Sequence, residues 1–204
     1  MKKIAFIVFS KAPIEGKVKS RLIPDLGQKQ ATLIYIELLQ HVLSNVFKWE
    51  KSDIQLWCSP DTQHGFFQEC VDVWQVDLFQ QQGADLGERM YHAMHSALKT
   101  HQQVFIVGGD CPSLNAKDFE LASQKLENDV SVVIAPAEDG GYVMMALNKI
   151  TPEIFEQIEW GTAKVMAQTR QQLTKSQLSW FELPLHWDVD YPEDVVRFKK
   201  IFSR

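Results

Sequence analysis

The chain has 204 residues, 45% of them hydrophobic, enough to close one sizeable core and short for two independent ones. Its formal net charge of −5, with no long lysine or arginine run, supplies no general field for a polyanion and argues against nucleic acid as a partner. No run of ~18 apolar residues occurs, so no membrane span is expected; the three cysteines, Cys58, Cys70 and Cys111, show neither metal-type spacing nor a disulfide framework and fit a reducing, cytoplasmic setting.

The start, Met1-Lys2-Lys3 then "IAFIVF", has the order of a signal peptide. Six apolar residues are too few for one, however, and Lys11, Pro13 and Glu15 follow at once, so a first buried strand is expected. In "QATLIYIELLQHVLSNVFK" the residues Leu33, Ile36, Leu39 or Gln40, Leu43 and Val46 or Phe47 recur at helical spacing. Strands are then expected at "DIQLWC", "VDVWQVDLF", "QVFIVG" and "VSVVIAP", alternating with amphipathic stretches at "QHGFFQEC", "GERMYHAMHSALKT" and "AKDFELASQKLEN". After Gly141 the pattern changes. "YVMMAL" reads as a strand, "ITPEIFEQIEWGTAKVMAQTRQQL" as helical material interrupted at Gly161, "LSWFEL" as a late strand and "YPEDVVRFKKIF" as a closing helix with Pro192 at its start. Strand and helix in alternation predict an α/β protein of three layers, α/β/α, with a mostly parallel sheet covered on both faces. No repeat or linker divides residues 1–204, so one domain is expected.

Three places carry residues that a core does not need. In open α/β sheets ligands sit outside the carboxyl ends of the strands, where strand order reverses, and "VFIVGGDCPSL" ends an apolar strand on Asp110 at such a position. A carboxylate there is solvated or holds a cation; capping of the helix near Asn115 is the plain alternative. The loop "SKAPIEGKVKSRL" gathers Lys11, Lys17, Lys19 and Arg21 around Gly16, a concentration of cations suited to phosphates, though it matches neither a Walker loop nor a dinucleotide fingerprint and solvated surface is the alternative. In "DVDYPED", Glu193 and Asp194 suit the first turn of a helix. Asp188 and Asp190, at alternate positions of an extended segment, face one side and could join Asp110 in a hard oxygen site for Mg²⁺ or Mn²⁺. Weaker signals are "GADLGERM", where Asp85 and Arg89 flank early helix amides, "PAEDGGYVMM", with Glu138 and Asp139 beside two glycines, and "EWGTAKV" at a helix break; each is also compatible with ordinary turns and packing.

The blocks "KAPIEGKVKSRL", "GADLGERM", "GGDCPSL", "PAEDGGYVMMAL", "WGTAKV" and "DVDYPEDV", in this order over nearly the whole chain, resemble a bacterial family related to glycosyltransferases and nucleotidyltransferases of the glycosyltransferase-A, or nucleotide-diphospho-sugar transferase, fold. Some of its members are called arsenosugar-biosynthesis glycosyltransferases. The resemblance implies that Asp110 is the metal-binding acid and that the first loop receives the nucleotide phosphates. Glu15 and Ser20 replace a proline and a threonine common in that loop, and Gly161 and Tyr191 stand where serine and threonine are usual. Glu15 would oppose phosphate binding unless it turns outward or pairs with Lys17 or Lys19.

The expected activity is therefore metal-dependent glycosyl transfer from a nucleotide-diphospho-sugar to a small-molecule acceptor. Asp110, Asp188 and Asp190 would hold Mg²⁺ or Mn²⁺, with Lys11, Gly16, Lys19, Arg21, Asp85 and Arg89 around the nucleotide and Asp139 or Glu138 as general base. Nucleotidyl transfer from a nucleoside triphosphate to a phosphorylated small molecule is the alternative. It wants a further cation for the second phosphate, and outside the first loop only Lys164 and Arg170 offer one. A non-catalytic nucleotide-binding relative is the third possibility.

Overall fold

A computed structural model describes residues 3–201. Seven strands form one sheet in the order β3-β2-β1-β4-β6-β5-β7. Four parallel strands lead it: β1 (Ile4–Lys11), β2 (Ser52–Ser59), β3 (Asp77–Gln80) and β4 (Gln103–Gly108). β6 (Tyr142–Leu147) runs antiparallel between β4 and β5 (Val132–Pro136), and β7 (Trp180–Glu182) is parallel to β5 at the edge. The chain builds outward from β1 through β2 and β3, then returns to lay β4 on the other side of β1. The order reverses between β1 and β4, and the carboxyl ends of those two strands, Lys11 and Gly108, open side by side.

Alternation along β1 shows why both faces are covered. Phe6 and Val8 pack against α1 (Ile23–Trp49), α2 (Gly65–Trp74) and α4 (Ala116–Asn128), while Ala5 and Ile7 point to the opposite layer, where α3 (Leu86–Leu98) and α5 (Val165–Lys175) lie. The closing helix α6 (Pro192–Lys199) packs Val195 and Phe198 onto Ile34 and Leu38 of α1. That outer contact widens the buried stripe of α1 beyond the expected one. Ile34, Tyr35, Leu38, Leu39, Val42, Leu43 and Val46 are buried, whereas Leu33 and Phe47 are exposed.

Two expected elements are corrected. "VDVWQVDLF" is not one strand: Val71 and Trp74 continue the three-and-four spacing of Phe67 and Cys70, so α2 runs to Trp74 and β3 begins only at Asp77. The break in the late helical stretch is longer than Gly161 alone. A short 3-10 turn, Pro152–Phe155, is followed by irregular chain with Gln157 and Gly161 at positive φ before α5 starts at Val165. Met1, Lys2 and Phe202, assigned from sequence to the first strand's lead-in and the closing helix, lie outside the described residues.

Candidate functional site

The site begins where β1 stops. Tyr35 on α1 reaches across the end of β1, its hydroxyl accepting from the Lys11 N–H at 2.8 Å and donating to the Lys11 carbonyl at 3.1 Å, and burial pushes the phenol up to about 12. The chain then turns through Gly16 (φ +77°) and Lys19 (φ 45°), with Val18 buried between them as an anchor. This turn sorts the four cations. Lys11 and Lys17 are exposed, Arg21 is half-exposed, and Lys19 points inward with its side chain 6% accessible. Glu15 is exposed and lines neither of the two cavities described below, which removes its conflict with phosphate.

At the end of β4 two glycines make room for a carboxylate. A Cβ on Gly108 would stand 2.8 Å from Asp110 Oδ1, and one on Gly109 would stand 2.8 Å from the Leu39 side chain. Asp110 does not cap α4: Asn115 does, accepting from the Lys117 N–H at 3.0 Å in a reciprocal box with Asp118. Instead the Asp110 carbonyl accepts from the Val189 N–H at 3.2 Å, and the Ser113 hydroxyl lies 3.1 Å from both the N–H and the carbonyl of Trp187. Those bonds clamp the extended segment 186–190 against the β4–α4 loop. Oxygens of Asp110, Asp188 and Asp190 consequently lie within 4.8 Å of one another, the one group of metal-ligating side chains among the described residues.

Lys19 sits on this triad. Its ammonium donates to Asp110 Oδ2 at 2.8 Å and Asp190 Oδ1 at 3.0 Å, and Arg21 closes on the other oxygen of Asp190. Burial works against the Lys19 charge, but the two carboxylates outweigh it and hold the ammonium more firmly protonated than usual. Asp188 has no such partner, and burial, reinforced by Asp110, Asp190 and Asp139, pushes its carboxyl up to about 7. An acidic centre that already recruits a lysine and still cannot fully ionise fits a divalent ion. Carboxylates in this number would hold Mg²⁺ or Mn²⁺, and Lys19 now sits between two of them.

Two cavities meet at the triad and share Phe9, Arg21, Leu86, Gly108 and Asp190. One, of about 580 Å³, lies over the end of β1 and is basic, with Lys11, Lys17, Lys19, Arg21 and Arg89 in its walls beside Asp110 and Asp190. The other, of about 290 Å³, lies over β4 and β6 and is floored by Met90, Ile106, Val107 and Tyr142, walled by Trp160 and Val165, with Asp139 and Asp188 at its edge.

The sequence-assigned residues therefore divide. Lys11, Lys19, Arg21, Arg89, Asp110 and Asp190 share the basic cleft, and Asp188 and Asp139 join from the apolar side. Gly16 sets the turn of the basic loop without lining the cleft. Asp85 caps α3 through the Glu88 N–H at 2.8 Å, and Glu138 is held in a forked pair by Arg197 at 2.9–3.2 Å. Lys164 and Arg170 pair with Glu159 and Glu182 and line neither cavity. Sequence reasoning missed Tyr35, which hides among the aliphatic residues of a buried helix face, and Leu86, an apolar residue at the first position of a helix whose exposure only the structure shows.

Residues 42–162 match the model of a protein family described as uncharacterized and conserved in bacteria, DUF2064. Among solved structures, a candidate nucleotide-diphospho-sugar transferase from Desulfovibrio desulfuricans G20 is 31% identical and superposes with a TM-score of 0.84 over 94% of this chain and 84% of that one. The 4-diphosphocytidyl-2C-methyl-D-erythritol synthase of Anaerococcus prevotii DSM 20548 is 13% identical, with a TM-score of 0.66 over 100% of this chain and 97% of that one. Rv0371c of Mycobacterium tuberculosis H37Rv, in complex with manganese, is also 13% identical, with a TM-score of 0.57 over 97% of this chain and 98% of that one. The last two likenesses concern the fold. A search of curated proteins finds no match.

Proposed function

The chain belongs to the DUF2064 family of bacterial proteins, and from that membership and the strand-end geometry we propose that it is a metal-dependent glycosyltransferase using a nucleotide-diphospho-sugar donor and a small-molecule acceptor. One observation carries the proposal: three carboxylates from two distant parts of the chain converge at the mouth of a basic cleft, at the point where strand order reverses.

Asp110, Asp188 and Asp190 would hold Mg²⁺ or Mn²⁺, the latter being the ion in the Mycobacterium tuberculosis neighbour. Once bound, the ion supplies Lewis-acid neutralisation of the departing diphosphate. Lys11, Lys17, Arg21 and Arg89 bind the remaining phosphate oxygens, and Lys19, released from the carboxylates, adds its charge where negative charge develops. Asp139 holds the acceptor. Its Oδ1 accepts from the Gly141 N–H at 2.8 Å, which fixes the carboxylate and leaves the second oxygen to take the acceptor's proton. The acceptor oxygen bonds to the anomeric carbon as the bond from that carbon to the diphosphate breaks, the electron pair leaving with the diphosphate.

Nucleotidyl transfer draws support from the five cations of the basic cleft, ample for a triphosphate. It lacks a cationic seat for a phosphorylated second substrate, because Lys164 and Arg170 are engaged elsewhere. Thermal shift with UDP- and dTDP-sugars against nucleoside triphosphates, with and without Mg²⁺ or Mn²⁺, tests the assignment. Metal-dependent stabilisation by a sugar nucleotide, lost in Asp110→Asn while that variant still folds cooperatively, is the expected result. Preference for triphosphates would move the assignment to nucleotidyl transfer, and indifference to metal would remove catalysis from it.

A further inference from the structure

The phosphate chemistry above uses the first loop, the end of β4, the "DVDYPED" segment and, from "GADLGERM", Arg89 alone. Three blocks, "GADLGERM", "PAEDGGYVMM" and "EWGTAKV", converge on the cavity of about 290 Å³ beside it. The first supplies Leu86 and Met90, the second Asp139 and Tyr142, the third Trp160 and Val165. Their glycines are where the blocks touch. A Cβ on Gly87 would stand 2.8 Å from Trp160 Nε1, and one on Gly140, at φ +90°, would stand 2.4 Å from the Ala163 carbonyl oxygen. Trp160 meets the half-buried Tyr142 ring edge-on, with centroids 6.3 Å apart and planes at 81°. These contacts hold a rigid aromatic wall against the start of α3.

The electrostatics of this cavity differ from those of the basic cleft. Among the residues lining it, Asp139, Asp188 and Asp190 stand with one cation, Arg21, itself paired with Asp190; Lys19 reaches Asp190 from the basic cleft, and no lysine or histidine lines this cavity. At the start of α3 the Glu88 N–H is taken by Asp85 at 2.8 Å, and the Glu88 carboxylate turns back to the Ala84 N–H ahead of the helix at 2.8 Å. A divalent ion on the triad would offset the acids without adding a donor for the outer oxygens of a second phosphate. The cavity's volume of about 290 Å³ suits a small molecule and not a polymer.

We propose that this cavity seats the acceptor and selects a small, phosphate-free molecule with a flat apolar body lying on Trp160 and a hydroxyl directed at Asp139. The inference rests on the transferase reading and adds the acceptor's chemical class. Calorimetry on the protein loaded with UDP and Mn²⁺ tests it with two probes of equal size in non-hydrogen atoms, tyrosol, a phenolic alcohol, and glycerol phosphate. Tyrosol is expected to bind saturably and at least tenfold more tightly than glycerol phosphate. Trp160→Ala should weaken tyrosol about tenfold. Leu86→Ala, at a position 44% exposed where folding is not at stake, should weaken it about threefold. Absence of tyrosol binding, equal or tighter binding of glycerol phosphate, or tyrosol binding that neither substitution alters would overturn the inference. The UDP and Mn²⁺ titration that precedes these measurements separates the two levels: its failure removes the nucleotide site, whereas its success with tyrosol failing removes only the acceptor class.

Discussion

Replacing Lys19 by methionine keeps an unbranched side chain, one atom shorter, and deletes the charge that bridges Asp110 and Asp190. The Lys19 side chain is 6% accessible, and those of Asp110 and Asp190 are 35% and 29% accessible. Removing one partner of a fully buried pair costs about 3–5 kcal/mol; with the acids partly hydrated, about 2–3 kcal/mol is expected here. For a domain of this size that lowers the melting temperature by about 5–10 °C in the absence of divalent ions. The same deletion removes the competitor that a metal must displace, so Mn²⁺ should bind Lys19→Met at least tenfold more tightly than wild type and, at ~100 times its dissociation constant, return about 2.7 kcal/mol of stability. Nucleotide affinity in the presence of Mn²⁺ should move the other way, several-fold weaker, because one phosphate ligand is gone. Differential scanning calorimetry with and without Mn²⁺, together with Mn²⁺ and UDP titrations, reads all three. A variant as stable as wild type without metal that binds Mn²⁺ no more tightly would refute the view that Lys19 and the ion share one seat.

Asp188, raised from 3.8 to about 7, keeps its proton in the folded state over a range where the unfolded chain has lost it, so without metal its contribution to stability falls as pH rises from about 4 to about 7. Saturating Mn²⁺ needs the carboxylate, so the metal-induced rise in melting temperature should be small at the low end of that window and large above it; a pH-independent rise would exclude Asp188 as a ligand. Gly140→Ala should destabilise by about 3 kcal/mol or more, since it places a Cβ 2.4 Å from the Ala163 carbonyl oxygen at φ +90°; chemical denaturation measures it, and a near-neutral result would mean the glycine loop is not pinned to Ala163. Ser113→Ala strips the partner from the Trp187 N–H, at a cost of about 1–3 kcal/mol. It should also weaken Mn²⁺ binding by loosening Asp188 and Asp190, and unchanged Mn²⁺ affinity would limit the clamp to a structural role.

The layers of the fold were legible because period and composition speak locally. "VSVVIAP" and "AKDFELASQKLEN" announce a strand and a helix without outside help, and β5 (Val132–Pro136) and α4 (Ala116–Asn128) fall within them. "VDVWQVDLF" misled because its alternating valines satisfy a strand pattern, while the contacts that make Val71 and Trp74 helical come from Phe67 and Cys70 before them and from the sheet. The acids of the candidate metal site were visible as a strand-end carboxylate and an alternate pair. Their convergence depends on the Ser113 and Trp187 bonds, a long-range fact that no local pattern carries. The inward turn of Lys19 likewise follows from positive φ at Lys19 and burial of Val18, features that in the sequence look like one more charge in a basic loop. The apolar cavity was the least legible, since Met90, Tyr142 and Trp160 read as ordinary core residues until three separate loops close around them.

The central claim is that one divalent ion, seated on Asp110, Asp188 and Asp190, joins the chain to a diphosphate in the basic cleft. Anomalous diffraction from crystals grown with Mn²⁺ and UDP tests it most directly. The account predicts a manganese peak among those three carboxylates, Lys19 turned away from Asp110 and Asp190 onto the phosphates, and the diphosphate in contact with Arg21 and Arg89. A peak elsewhere, or Lys19 still bridging the two acids with UDP bound, would contradict it.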